Sequence, residues 1–173
     1  MNLRLISCAI LLIGAASQGR AFELSLPALT PHEPIPAKYT LKGGNVSPEV
    51  AIKDVPPGTQ SLALIVDDPD APTGLWTHWL VWNLSADTTT IPEGKLPSEA
   101  RQGTNSYQHV AYDGPAPPPG DSHRYYFRLY ALNALLTLPE GADHAALIVA
   151  MSGHVLGKAE VYRSYPRAPL IPE

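Results

Sequence analysis

Apolar residues in this chain come in short runs cut by prolines and glycines, and the phase within each run predicts strands rather than helices. Residues 61–67, apolar from Leu62 to Val66, predict a buried strand bounded by Pro56-Pro57-Gly58 and Asp68-Pro69. Residues 76–83 form a second run, rich in aromatics, and residues 123–132 a third. Residues 155–165 predict a last strand. One helix is expected over 143–152, with Asp143 at its start, Gly153 at its end and Ala145, Ala146, Val149 and Ala150 as its buried stripe. Residues 27–36 carry four prolines and predict an extended entry, 85–98 a polar linker, and 103–121 a long loop of the kind that usually serves function. Several short strands with one helix predict a mainly β protein, a sandwich with helical additions.

Alternation assigns faces to these strands. Leu62, Leu64, Val66 and Asp68 share one face. His78, Leu80 and Trp82 share another, with Trp79 and Val81 opposite. His123, Tyr125, Phe127 and Leu129 share a third. Each face is apolar along its length and ends in a titratable group, so Asp68, His78 and His123 with Tyr125 are candidates to meet at one rim. Alternation gives faces and leaves strand order open.

Composition alters this picture at the N-terminus. Residues 1–21 read as a leader: a positive start, an apolar stretch centred on residues 9–13, and Gly19 and Ala21 at the two small positions, predicting cleavage before Phe22. Subtracting Arg4 and Arg20 from the 12 basic residues leaves 10 against 16 acidic, so the formal charge moves from -4 to -6. The single cysteine, Cys8, would leave with the leader, and what remains, 22–173, is expected to be one domain held by its core rather than by disulfides. An acidic balance argues against a nucleic-acid binder with a broad basic surface. The 19 prolines are about twice the usual share of roughly 5%. With 45% hydrophobic residues they do not signal disorder.

The order of the polar strings carries a resemblance. Asp67-Asp68-Pro69-Asp70-Ala71-Pro72, then Trp76-Thr77-His78-Trp79, then Gly114-Pro115 with its proline-rich continuation, then His123-Arg124-Tyr125 resembles the phosphatidylethanolamine-binding protein family, its bacterial Raf-kinase-inhibitor-like branch above all. Supporting strings are residues 44–49, 103–105 and 153–156, and the match runs from about 38 to 167. The resemblance implies two antiparallel sheets in a Greek-key arrangement with short peripheral helices. It also implies a small cavity for phosphate, another small anion or a phospholipid head group, lined by Asp68, His78, Gly114, Pro115, His123 and Tyr125, with Asp70 and Trp76 beside it. Departures are the short Asp121-Ser122 before His123, Ala116 where bacterial relatives often have cysteine, and no counterpart to the long C-terminal helix of animal members. Bacterial relatives imply a homodimer, although no interface can be named from the chain.

The chemistry of these residues fits an anion. Imidazoles can donate to a phosphoryl oxygen, the backbone of a glycine-proline loop can add N–H donors, and a tyrosine hydroxyl is one more. Asp68 would hold a histidine's other ring nitrogen and fix its tautomer. Arg124 should face away from His123 and partner Asp70. His32, His109 and His144 read as solvated, and His154 as structural. The Asp67, Asp68 and Asp70 string lacks the glycine of a calcium loop, and no close histidine pair supports another metal or a cofactor. There is no Gly-x-Ser-x-Gly, His-Glu-x-x-His or phosphate loop. The sequence thus predicts an exported, non-enzymatic binding protein. An inhibitor that contacts an exported protease is a second reading, and a hydrolase of phosphorylated or ester substrates a third.

Overall fold

The computed structural model describes residues 20–118 and 120–165. The bulk of the expected leader and Pro119 lie outside these residues. Among the described residues, eight strands form two antiparallel sheets: β1 (Glu23–Ser25), β2 (Val50–Lys53), β3 (Ser61–Asp68), β4 (Trp76–Ser85), β5 (Thr90–Ile91), β6 (Arg101–Gln102), β7 (His123–Leu132) and β8 (Val155–Tyr165). The small sheet runs β1-β2-β5 and the large one β6-β4-β3-β7-β8. In the large sheet β3, β4 and β6 are consecutive neighbours and β7 returns beside β3, which is a Greek key.

Strand β3 explains why the fold holds. All eight of its residues are buried, because it lies in the middle of the large sheet with both faces covered. Leu62, Leu64 and Val66 face the small sheet and share one core with its Leu24, Val50 and Ile52 and with Phe127 and Leu129 of the large sheet. Ala63 and Ile65 face the other way, beneath helix α1 (His144–Met151), with Leu80, Trp82, Leu132 and Leu147. Each such side chain fully buried is worth about 1.5–3 kcal/mol, which suffices without a cross-link. On the α1 side, the buried Asp67 pairs with Arg128, which also reaches Glu160 at 2.7 Å.

Helix α1 starts as expected: Asp143 accepts from the Ala146 amide at 2.8 Å, a cap worth about 1 kcal/mol. It ends before Gly153, whose φ of 79° suits glycine. Its buried face is not the expected one. Leu147 and Met151 are buried while Ala145 and Val149 are exposed, because the segment is apolar all round and offers no polar face to set its phase. The expected linker at 85–98 contains β5, which pairs with β2 and buries Ile91.

Two bulges shape β4. Val66 pairs with Trp79 but Asp67 with Thr77, so His78 is an extra residue. Further along, Leu62 pairs with Leu84 and Leu64 with Val81, leaving an extra residue beside Asn83. Asn83 has a φ of 57°, and its amide both donates to and accepts from the Leu136 backbone, substituting for a strand neighbour.

Candidate functional site

Strands β3 and β7 bring Asp68, His123 and Tyr125 to one rim of the sandwich. The His123 Nδ1–H donates to Asp68 Oδ2 at 2.6 Å, with both side chains buried. The other Asp68 oxygen accepts from the Asp70 amide at 2.8 Å, which fixes the carboxylate. Asp70 is gripped by Arg124 in a fork, Nε at 2.8 Å and Nη2 at 2.6 Å, and also accepts from the Arg124 amide. The guanidinium holds the Asp70 carboxyl below its ordinary range. This expected pair ties the turn after β3 to the start of β7. Tyr125 is buried, and its hydroxyl has no hydrogen-bond partner among the described residues. Burial, and then the Asp68 charge, push that hydroxyl's pKa up, so it stays a neutral donor.

His78 reaches the same rim by a different route. Strict alternation would put it with Leu80 and Trp82, on the helix side of the sheet. The bulge at His78 changes the phase, so His78 and Trp79 both face the small sheet. The His78 ring lies 5.1 Å from the Tyr125 ring. Its Nδ1–H donates to the Asp113 carbonyl at 2.6 Å. Burial pushes the His78 pKa below its ordinary value, against the pull of the Asp113 carbonyl and the Asp68 charge.

Asp113 is the hub of this second wall, and no sequence pattern pointed to it. Its buried carboxylate accepts from Asn45 at 2.9 Å, Asn105 at 2.7 Å and His109 at 2.8 Å. Burial works to raise its pKa, and these three donors more than reverse that. Asn105 also binds the Ala111 carbonyl and receives the Tyr107 and His109 amides. His109, read as solvated, is exposed yet partnered. His154 is structural as expected, its Nδ1 2.8 Å from Asn133 Oδ1.

The walls enclose a cavity of about 250 Å3. Asp68, His78, His123 and Tyr125 line it, as do Trp76 and Tyr107, whose rings meet edge to face at 5.2 Å. Ala71, Pro72, Thr73, Ala116, Pro117 and Pro118 form its rim. An open groove bounded by Asp70, Asp121, Ser122 and Arg124 adjoins it at Pro72 and His123. Gly114 and Pro115 do not line the main cavity. Pro115 lines a small apolar chamber behind it, with Leu29, Ile35 and Phe127. The Gly114 amide donates to Asn45 Oδ1 at 2.8 Å, so it is not a donor to the cavity as the sequence reading expected. Glycine is required there for space: a Cβ would lie 2.0 Å from the Tyr39 carbonyl oxygen. The glycine-proline junction thus packs the loop against residues 39–41, and the Pro115 carbonyl accepts from Leu41 at 3.1 Å.

A two-layer antiparallel sandwich with a cavity at one rim that holds a buried Asp–His pair is the class these features define. The model of the family described as Phosphatidylethanolamine-binding protein matches residues 25–165, and the chain belongs to that family. It is 46% identical over 138 residues to a UPF0098 protein of Methanothermobacter thermautotrophicus, covering 77% of this chain and 91% of that one. A UPF0098 protein of Chlamydia pneumoniae is 42% identical over 151 residues, covering 84% and 99%. Among solved structures, the phosphatidylethanolamine-binding protein homologue CT736 of Chlamydia trachomatis matches with a TM-score of 0.79 and 41% identity, over 84% of this chain and 97% of that one. E. coli YbcL, described as a member of the mammalian family, matches with a TM-score of 0.79 and 30% identity, over 84% and 98%.

Proposed function

We propose that this protein is exported and binds a small phosphate-like anion, free or as a phosphorylated head group, in the cavity between Asp68, His78, His123 and Tyr125. The observation that carries this reading is a buried, carboxylate-backed His123 lining the same cavity as Tyr125, whose hydroxyl has no partner among the described residues. Asp68 supplies the counter-charge that an imidazolium needs, and the Tyr125 hydroxyl has a hydrogen bond to give. A buried hydroxyl without a partner carries a desolvation cost that a ligand oxygen would recover. Because the chain is net negative, attraction must come from these few local donors. Export rests on the leader pattern of residues 1–21 and is tested by N-terminal sequencing of the secreted or periplasmic product, which should begin at Phe22. For binding, millimolar phosphate or phosphoethanolamine should raise the melting temperature of wild type and leave that of His123→Ala unmoved. A wild type that responds to neither ligand overturns the reading.

A further inference from the structure

The two histidines of the cavity are held by unlike partners, and this bears on which anion can enter. A carbonyl oxygen has no proton to give. The 2.6 Å contact between His78 Nδ1 and the Asp113 carbonyl therefore fixes the hydrogen on Nδ1. In the neutral ring Nε2 is then a bare lone pair, and it makes no hydrogen bond among the described residues. Asp113 cannot readily turn that nitrogen into a donor, because its carboxylate is committed to Asn45, Asn105 and His109 and only its carbonyl meets the ring. Burial also favours the neutral ring. His123 differs in its partner, since its Nδ1–H meets the Asp68 carboxylate rather than a backbone carbonyl. Among the residues that line the cavity, the Tyr125 hydroxyl of β7 and the Trp76 indole N–H of β4 are donors with no partner among the described residues, and His78 Nε2 is one fixed acceptor.

Resting on the anion-binding reading above, we infer that the cavity selects a phosphoryl group that still carries a P–OH, and rejects sulfate and phosphodiesters. An anion whose oxygens are all bare sets a lone pair against the His78 Nε2 lone pair. A P–OH turns that repulsion into a hydrogen bond. Hydrogen phosphate carries such a proton at neutral pH, whereas sulfate, of similar size and shape, carries none.

Isothermal titration of the wild-type protein at pH 7 with inorganic phosphate, sulfate and glycerophosphoethanolamine tests this and separates the two sources of phosphate. Inorganic phosphate should bind about tenfold or more tightly than either of the others, the scale set by one buried hydrogen bond made or lost. Sulfate binding as tightly as phosphate overturns the inference and leaves the anion site standing. The diester binding as tightly also overturns it and identifies a lipid head group as the source. Binding of none of the three removes the anion site itself. In His78→Gln, whose amide can rotate to donate, the phosphate-to-sulfate ratio should fall toward one; an unchanged ratio counts against the inference. Should that variant fail to fold, nitrogen-15 ring spectra of wild type decide, since His78 must show the Nδ1–H tautomer and the Nε2–H tautomer refutes the proposal.

Discussion

The cavity has two walls built in opposite ways. The wall of Asp68, His123 and Tyr125 stands on adjacent strands, where backbone hydrogen bonds are already satisfied and alternation aims the side chains. The wall of His78, Asn105 and Asp113 stands on a bulge and a long loop. Its backbone includes Asn45 and Gln108 at φ of 51° and 67°, in the left-handed region that non-glycine residues seldom adopt. Side-chain amides and a buried carboxylate do there what a sheet ladder does opposite. The loop wall should therefore depend on its polar hub, and the strand wall should tolerate loss of its outer polar contacts.

The sharpest way to break this contrast is Asp113→Ala. It strips the acceptor from Asn45, Asn105 and His109 at once, and should lower unfolding free energy by about 3–4 kcal/mol in urea titrations. A loss under about 1 kcal/mol would show that the loop needs no hub.

Acid should act on the loop wall next. The folded His78 pKa lies below that of the unfolded chain, so its contribution is fully present above about pH 6.5 and is lost as pH falls through the folded value. Each tenfold fall in proton affinity on folding corresponds to about 1.4 kcal/mol. Denaturation at pH 7.5 and 5.5 should find a shallower acid loss in His78→Gln than in wild type, and equal slopes would contradict this.

On the strand wall, Tyr125→Phe removes an unpartnered buried hydroxyl and should leave the free protein as stable or up to about 1 kcal/mol more stable. The same change should weaken phosphate binding in titration calorimetry. The smallest effect is expected for Arg124→Ala. Half-exposed, its fork with Asp70 is a surface ion pair worth under about 1 kcal/mol, so the melting temperature should barely move.

The walls also differ in how far the sequence disclosed them. Leu62, Leu64, Val66 and Asp68, and His123 through Leu129, alternate without interruption, so their faces were legible and the structure keeps them. His78 was identified as a site residue but assigned to the wrong face, because a bulge changes strand phase and leaves no period to detect. Asp113 and Asn105 sit in irregular backbone, where meaning comes from partners far along the chain. Strands β1, β2 and β5 span two to four residues, too few for alternation to show. The phase of α1 was hidden because its segment, His-Ala-Ala-Leu-Ile-Val-Ala-Met, is nearly uniform in hydropathy. Gly114 and Pro115, placed at the cavity by resemblance, prove to brace the loop behind it.

The bulge at His78 has one more consequence. Deleting Thr77 would restore plain pairing, set His78 opposite Asp67 and turn the imidazole to the helix side while leaving the histidine in the sequence. The cavity can thus be gained or lost by a change in length as well as by a change of residue. In comparing relatives, a histidine at this position is informative only when the spacing to its strand partner is intact, so a one-residue gap here carries more weight than several substitutions elsewhere in β4.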